Sequence, residues 1–279
     1  MNPTRSIMLH PSGETTHYIV DDFTDPWKPR ETILLQGGFA RHSAFFYHWV
    51  PALSRHYKVI RRDLRGHGYS SAPPLQEKPD AYTLDTILNE IIDTLDQLGL
   101  EKVHYFGEST SGILGEILAA RFPERLLSLT ICSSPTHLPQ GTQDFLAMGL
   151  ESWPTACRKL GSRGWGQKLA ELPGTMASKD CAYRKWWLDQ ISINSSEGLA
   201  SYAEFLSTID SRQYIPKIKV PMLILAPTKS AATKLEEQYA IQKQVENCTL
   251  VEINGAGHEI IMDAASECQT AYLKFLGDL

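Results

Sequence analysis

The sequence predicts an α/β protein: a mostly parallel eight-stranded sheet with helices on both faces and a helical lid insertion near the middle of the chain. Three observations carry this. Short apolar runs of the kind buried on both faces of a parallel sheet recur along the chain. Helical patterns lie between them. Residues 136–214 then interrupt the alternation, with helical patterns and no strand-like run.

Residues 6–10 and 16–22 are extended runs around Pro11-Ser12-Gly13, a turn signal, and predict an antiparallel hairpin at a sheet edge. Core strands are expected at residues 32–35, 58–60, 103–106, 127–132, 222–225 and 249–253. Residues 82–98 place Leu84, Ile87, Leu88, Ile91, Ile92, Leu95 and Leu98 on one helical stripe, closed by Gly99. Residues 110–122, 235–244 and 264–276 supply further helices, joined to the strands by right-handed crossovers. The division expected is a core of 1–135 and 215–279 and a cap or lid of 136–214. The lid holds Trp153, Trp165, Trp186 and Trp187; for any one of them, a core position is the simpler explanation.

At 279 residues and 42% hydrophobic content the chain can bury one large core. Its net charge of -5, with Lys and Arg scattered among acids, leaves no basic stripe to release counterions, so no nucleic acid partner is expected. Cys132, Cys157, Cys181, Cys248 and Cys268 are widely separated, odd in number and not at zinc-ligand spacing; they read as reduced thiols, with no metal site. Neither a basic-then-apolar leader nor an apolar stretch near the ~20 residues that span a bilayer occurs, so a cytoplasmic protein without a membrane partner is expected, as monomer or homodimer.

The chemistry-bearing residues lie where strands should end. Gly107-Glu108-Ser109-Thr110-Ser111-Gly112 follows an apolar strand and opens a helix, the context of a nucleophile elbow. Lifting a serine hydroxyl above the sheet strains the turn, so the residues two positions either side must be small; Gly107 and Ser111 are, although the fifth residue is usually glycine. Ser109 as a plain helix cap is the competing explanation. Ile253-Asn254-Gly255-Ala256-Gly257-His258 ends another strand in a glycine-rich loop that presents an imidazole, and a base within reach is what a weakly nucleophilic hydroxyl needs. His258 is thus the candidate base; His67 is ranked as structural. Leu34-Leu35-Gln36-Gly37-Gly38-Phe39 runs a strand into two glycines, and the Gly38 and Thr110 amides are the candidate oxyanion donors, unless the pair is only a strand-ending turn.

Together these elements resemble the α/β-hydrolase family, and Asp63-Leu64-Arg65-Gly66-His67-Gly68-Tyr69-Ser70 matches the family's loop after its fourth strand. The resemblance spans nearly the whole chain and implies a serine hydrolase of carboxylic esters or lactones that needs no cofactor. One departure stands out. Where the family places Asp or Glu, the chain reads Ala226-Pro227-Thr228-Lys229-Ser230-Ala231, and the alternative acid position, used by zearalenone lactone hydrolases and cofactor-free ring-cleaving dioxygenases, reads Cys132-Ser133-Ser134-Pro135. Glu108, Ser133 and Ser230 remain the candidates for orienting His258. Glu108 also resembles the active-site Glu of plant hydroxynitrile lyases, or is a structurally paired buried acid. Glu236 and Glu237 are expected on a solvent-facing helix.

The absence of Asp at the elbow's centre excludes the haloalkane dehalogenase and epoxide hydrolase branches. Aromatic residues of the lid, with Phe39, Phe45, Phe46 and Tyr47, suggest an apolar cleft. By resemblance to zearalenone hydrolases and serine-dependent macrolide esterases, the specific expectation is a macrocyclic lactone such as a macrolide. Two alternatives stay open: C–C hydrolase, hydroxynitrile-lyase-like or cofactor-free dioxygenase chemistry on the same fold, and a non-catalytic ligand-binding protein that has lost its acid.

Overall fold

The computed structural model describes residues 5–176, 178 and 180–279. Eight strands form one sheet: β1 (Arg5–Leu9), β2 (Thr15–Asp21), β3 (Thr32–Gln36), β4 (Lys58–Arg62), β5 (Val103–Glu108), β6 (Leu126–Cys132), β7 (Met222–Pro227) and β8 (Cys248–Ile253). Their spatial order is β1-β2-β4-β3-β5-β6-β7-β8. The β1–β2 hairpin is antiparallel and pairs antiparallel with β4, while β4, β3, β5, β6, β7 and β8 run parallel. The edge hairpin and the six core strands fall where the apolar runs put them.

Because side chains alternate across a strand, each buried strand feeds two cores. Leu34, Ile60, Tyr105, Leu129 and Ile224 point to one face and Ile33, Leu35, Val59, Phe106 and Leu225 to the other. The first face is covered by α2 (Leu84–Gln97) and α3 (Thr110–Arg121), the second by α1 (Val50–Leu53), α9 (Ile260–Asp263) and α10 (Ala265–Gly277). The helix α2 starts at Thr83, whose Oγ1 accepts from the Thr86 N–H at 3.1 Å, and stops before Gly99 at φ 66°. Truncating a fully buried side chain such as Leu34 or Leu225 to Ala would cost about 2–5 kcal/mol.

Among the described residues between β6 and β7 the chain forms four α-helices, α4 (Gln140–Leu146), α5 (Trp153–Glu171), α6 (Cys181–Ile191) and α7 (Ser196–Leu206); α8 (Leu235–Gln242) follows β7. Ser152, Asp180 and Ser195 cap α5, α6 and α7 through their side-chain oxygens, and α5 is broken at Gly161, φ 71°. Trp153, Trp165 and Trp187 are buried. Phe39, just past β3, stacks edge-on against Trp153 and Trp165 with ring centroids 4.4 and 5.2 Å away, joining the inserted helices to the sheet end. The five cysteines are free thiols, of which Cys132, Cys157 and Cys268 are buried. Among the described residues no helix is long and apolar enough to cross a membrane, and no group of three or more His, Cys, Asp or Glu could hold a metal ion.

Candidate active site

The carboxyl ends of β3, β5, β7 and β8 bring the candidate residues together. Ser109 sits between β5 and α3 at φ 52°, ψ −125°, a left-handed conformation that costs a non-glycine residue about 1–3 kcal/mol and that the surroundings must hold in place. The hold is local: the Ser109 N–H donates to the Cys132 carbonyl at 2.8 Å. A Cβ at position 107 would lie 2.5 Å from the Ser111 carbonyl oxygen, so the turn closes only on glycine. Ser111 is accepted at the fifth position because its hydroxyl reaches out of the turn and donates to the Gly37 carbonyl at 2.6 Å.

His258 Nε2 lies 3.0 Å from Ser109 Oγ, across 149 positions of chain. Its backbone N–H donates to the Gly174 carbonyl at 3.1 Å, which fixes the loop after β8 against the start of the 174–176 segment. Burial, and then the Arg41 charge, push the imidazole pKa down to about 3. On its other side Nδ1 meets Ser230 Oγ at 2.9 Å. Among the three candidates for orienting the ring, Ser230 makes the contact. Its oxygen is itself held by the Ala232 and Thr233 N–H groups at 3.1 and 3.0 Å. Ser133 is buried with its carbonyl accepting from Thr233 Oγ1 at 3.0 Å.

Glu108 faces the loop after β3. Its Oε2 accepts the Gly38 N–H at 2.7 Å, and Oε1 lies 3.4 Å from Arg41 Nη1. Burial raises the Glu108 carboxyl above its ordinary value, against the pull of Arg41 and the Gly38 amide. This differs from the expectation for Gly38: its amide is committed to a carboxylate. The neighbouring Phe39 N–H is taken by Thr110 Oγ1 at 3.0 Å. Thr110 is the first residue of α3, where the helix supplies no partner for the N–H. Position 38 also has no room for a side chain, since a Cβ there would lie 2.7 Å from Ser109 Cβ.

Arg41 was not singled out from sequence. It ion-pairs Glu259 as well as Glu108, and Glu259 Oε1 also accepts from Trp187 Nε1 at 2.8 Å. The available signal was a pair of acids, Glu108 and Glu259, each adjoining a candidate catalytic residue and each needing a cation when buried. His67 is structural, its Nδ1 2.8 Å from the Arg65 carbonyl oxygen and its pKa pushed down to about 4 by burial. Glu236 is exposed, whereas Glu237 departs from expectation and accepts from the Thr136 N–H at 2.9 Å, tying α8 to the first residues after β6. Above Ser109 and His258 opens a cavity of about 460 Å³ walled mainly by Phe39, Leu138, Phe145, Trp153, Trp165 and Trp187, with Arg41 at its edge.

The model of the α/β hydrolase fold family matches residues 31–265. A 3-oxoadipate enol-lactonase of Acinetobacter baylyi is 26% identical over 214 residues, covering 75% of this chain and 74% of that protein. A putative carbamate hydrolase, RutD, of Stutzerimonas stutzeri is 24% identical, covering 87% and 89%. In structure, an enol-lactonase from Burkholderia xenovorans superimposes with a TM-score of 0.85 at 22% identity, over 98% of this chain and all of that one. With a sheet of this order, an elbow at its fifth strand and a histidine loop after its eighth, the chain belongs to the α/β hydrolase fold family.

Proposed function

We propose that this protein is a serine hydrolase of carboxylic esters or lactones, with Ser109 as nucleophile and His258 as proton shuttle. The observation that carries the reading is the 3.0 Å approach of His258 Nε2 to a serine hydroxyl on a strained elbow. Ser109 Oγ attacks the carbonyl carbon, its proton passes to His258 Nε2 and then to the leaving oxygen, and water repeats the cycle in reverse to release the acid. The Thr110 amide, at the positive end of α3, is one donor for the oxyanion. Gly38 becomes the second only when it shares its N–H with, or takes it from, Glu108. Helices α4, α5 and α6 wall the cavity, and with α7 they make up the cap, corresponding to residues 136–214.

The relatives named as enol-lactonases favour a lactone over an amide. The cavity lies in the lower half of the usual range for small-molecule sites, about 300–1,000 Å³, so a compact apolar lactone or ester suits it better than a macrolide, which would need the cap helices to open. A fluorophosphonate probe should label the wild type at Ser109 and leave Ser109→Ala unlabelled at unchanged far-UV circular dichroism. Absence of labelling, with no turnover across aryl esters, simple lactones and macrolides, refutes the reading.

One observation favours a second reading. With Glu108 on the Gly38 amide, the pocket as folded has a carboxylate where an acyl-transfer enzyme wants an open donor. In that case His258 acts on the substrate directly, as in lyase, C–C hydrolase or cofactor-free dioxygenase chemistry; cyanide release or oxygen uptake without Ser109 labelling would mark it.

A further inference from the structure

The hydrogen bonds around Ser230 decide which nitrogen of His258 carries the proton. A hydroxyl oxygen accepts through two lone pairs and donates through one O–H. Both lone pairs of Ser230 Oγ are used, by the Ala232 N–H at 3.1 Å and the Thr233 N–H at 3.0 Å. Its 2.9 Å contact with His258 Nδ1 therefore has one polarity left: the Ser230 O–H donates and Nδ1 accepts.

We propose that Ser230 is a positioning residue that holds His258 as its Nε2–H tautomer, so that in the resting enzyme the imidazole donates to Ser109 Oγ rather than accepting from it. The 3.0 Å Nε2 to Ser109 Oγ contact is then an N–H···O bond that uses a lone pair of the nucleophile. This rests on the Ser109–His258 reading above and deepens it. Before Ser109 can give up its proton, the ring must free Nε2 and carry a proton on Nδ1, where only a hydroxyl with filled lone pairs awaits it. Holding a triad histidine in the wrong tautomer lowers kcat by about 10⁴. The acyl donors that still turn over are those with good leaving groups, enol or phenol esters and the corresponding lactones. Turnover of these runs through the minority of rings that carry the proton on Nδ1: the Ser109 proton passes to the freed Nε2 and from there to the departing oxygen, which needs little help.

An aspartate at this position would reverse the arrangement. A carboxylate oxygen has capacity for both backbone N–H groups and for an Nδ1–H, and it has no proton to give.

The test is ¹⁵N NMR of uniformly labelled protein at neutral pH, with His258 assigned by the signals lost in His258→Gln. In the wild type Nε2 should show the shift of a protonated ring nitrogen and Nδ1 that of an unprotonated one. In Ser230→Asp the two should exchange, and kcat for an alkyl ester should rise at least about tenfold, part of the ~10⁴ that the tautomer withholds. The gain should be smaller for p-nitrophenyl acetate, whose leaving group is already activated. A wild-type spectrum with the proton on Nδ1, or a Ser230→Asp spectrum unchanged from wild type, overturns the proposal. Failure of Ser109 labelling would instead overturn the hydrolase reading, and the spectrum decides the tautomer in either case.

Discussion

Moving the assay from pH 7 to pH 5 separates this site from one with a carboxylate behind its histidine. A free imidazole titrates near 6.5, so about 76% of it is unprotonated at pH 7 and only about 3% at pH 5, and a rate that depends on the neutral base would fall about 25-fold. Among the described residues no carboxylate meets Nδ1; Ser230 does, and burial followed by the Arg41 charge pushes the His258 pKa down to about 3. At pH 5 about 99% of the ring is then neutral, and kcat/KM should fall less than about twofold. The assay is the pH profile of kcat/KM for p-nitrophenyl acetate between pH 4 and 8, with folding followed by near-UV circular dichroism. Glu108 and Glu259 both pair Arg41 beside the ring, and burial raises the Glu108 carboxyl, so the profile is repeated in Glu108→Gln, which removes that titration. An acid limb with an apparent pKa of 6–7 in both proteins, at intact folding, would refute the reasoning. The same shift sets the sign for stability. Since the folded-state pKa of His258 is depressed, its contribution is full above the unfolded value near 6.5 and is lost as pH falls toward 3.

Two further outcomes follow from the packing. Gly38→Ala should cost about 1–3 kcal/mol in chemical denaturation and most of the activity, because the new methyl meets Ser109 Cβ at 2.7 Å and the Glu108 carbonyl oxygen at 2.9 Å; a variant with wild-type kinetics would show that the loop after β3 gives way freely. Glu116 in α3 is fully buried against Ser211, whose hydroxyl donates to Oε2 at 2.5 Å, and burial raises its pKa to about 8. The raised value makes the wild type lose stability as pH climbs from about 4.5 through 8, whereas Glu116→Gln, which cannot ionise, should hold its Tm across that window and exceed the wild type by several degrees at pH 9. Parallel Tm curves for the two proteins would contradict this.

Strand and helix positions were readable because they rest on local pattern. Continuous apolar runs such as 32–35 and 103–106, and the stripe from Leu84 to Leu98, are properties of neighbouring residues. The elbow was equally legible, since the steric demand at Gly107 and Ser111 is met within five residues. The 3.0 Å meeting of Ser109 and His258 could be expected from their places at strand ends, which a parallel sheet carries to one rim. The exposure of Glu236 followed from its surface helix, but Glu237, one residue on, turned inward to the Thr136 amide.

What only the tertiary structure decided were the partners of polar atoms far apart in the chain. Ser230 rather than Ser133 or Glu108 meets His258 Nδ1, over 28 positions; Glu108 takes the Gly38 amide, over 70; Arg41 bridges to Glu259, over 218. A periodicity says which face is apolar and a turn motif says where the chain bends, but neither says which of several hydroxyls and carboxylates will fill a given hydrogen-bond vacancy. That depends on distances of a few tenths of an ångström between elements packed by unrelated side chains, and such distances exist only once the sheet, its loops and the inserted helices are assembled.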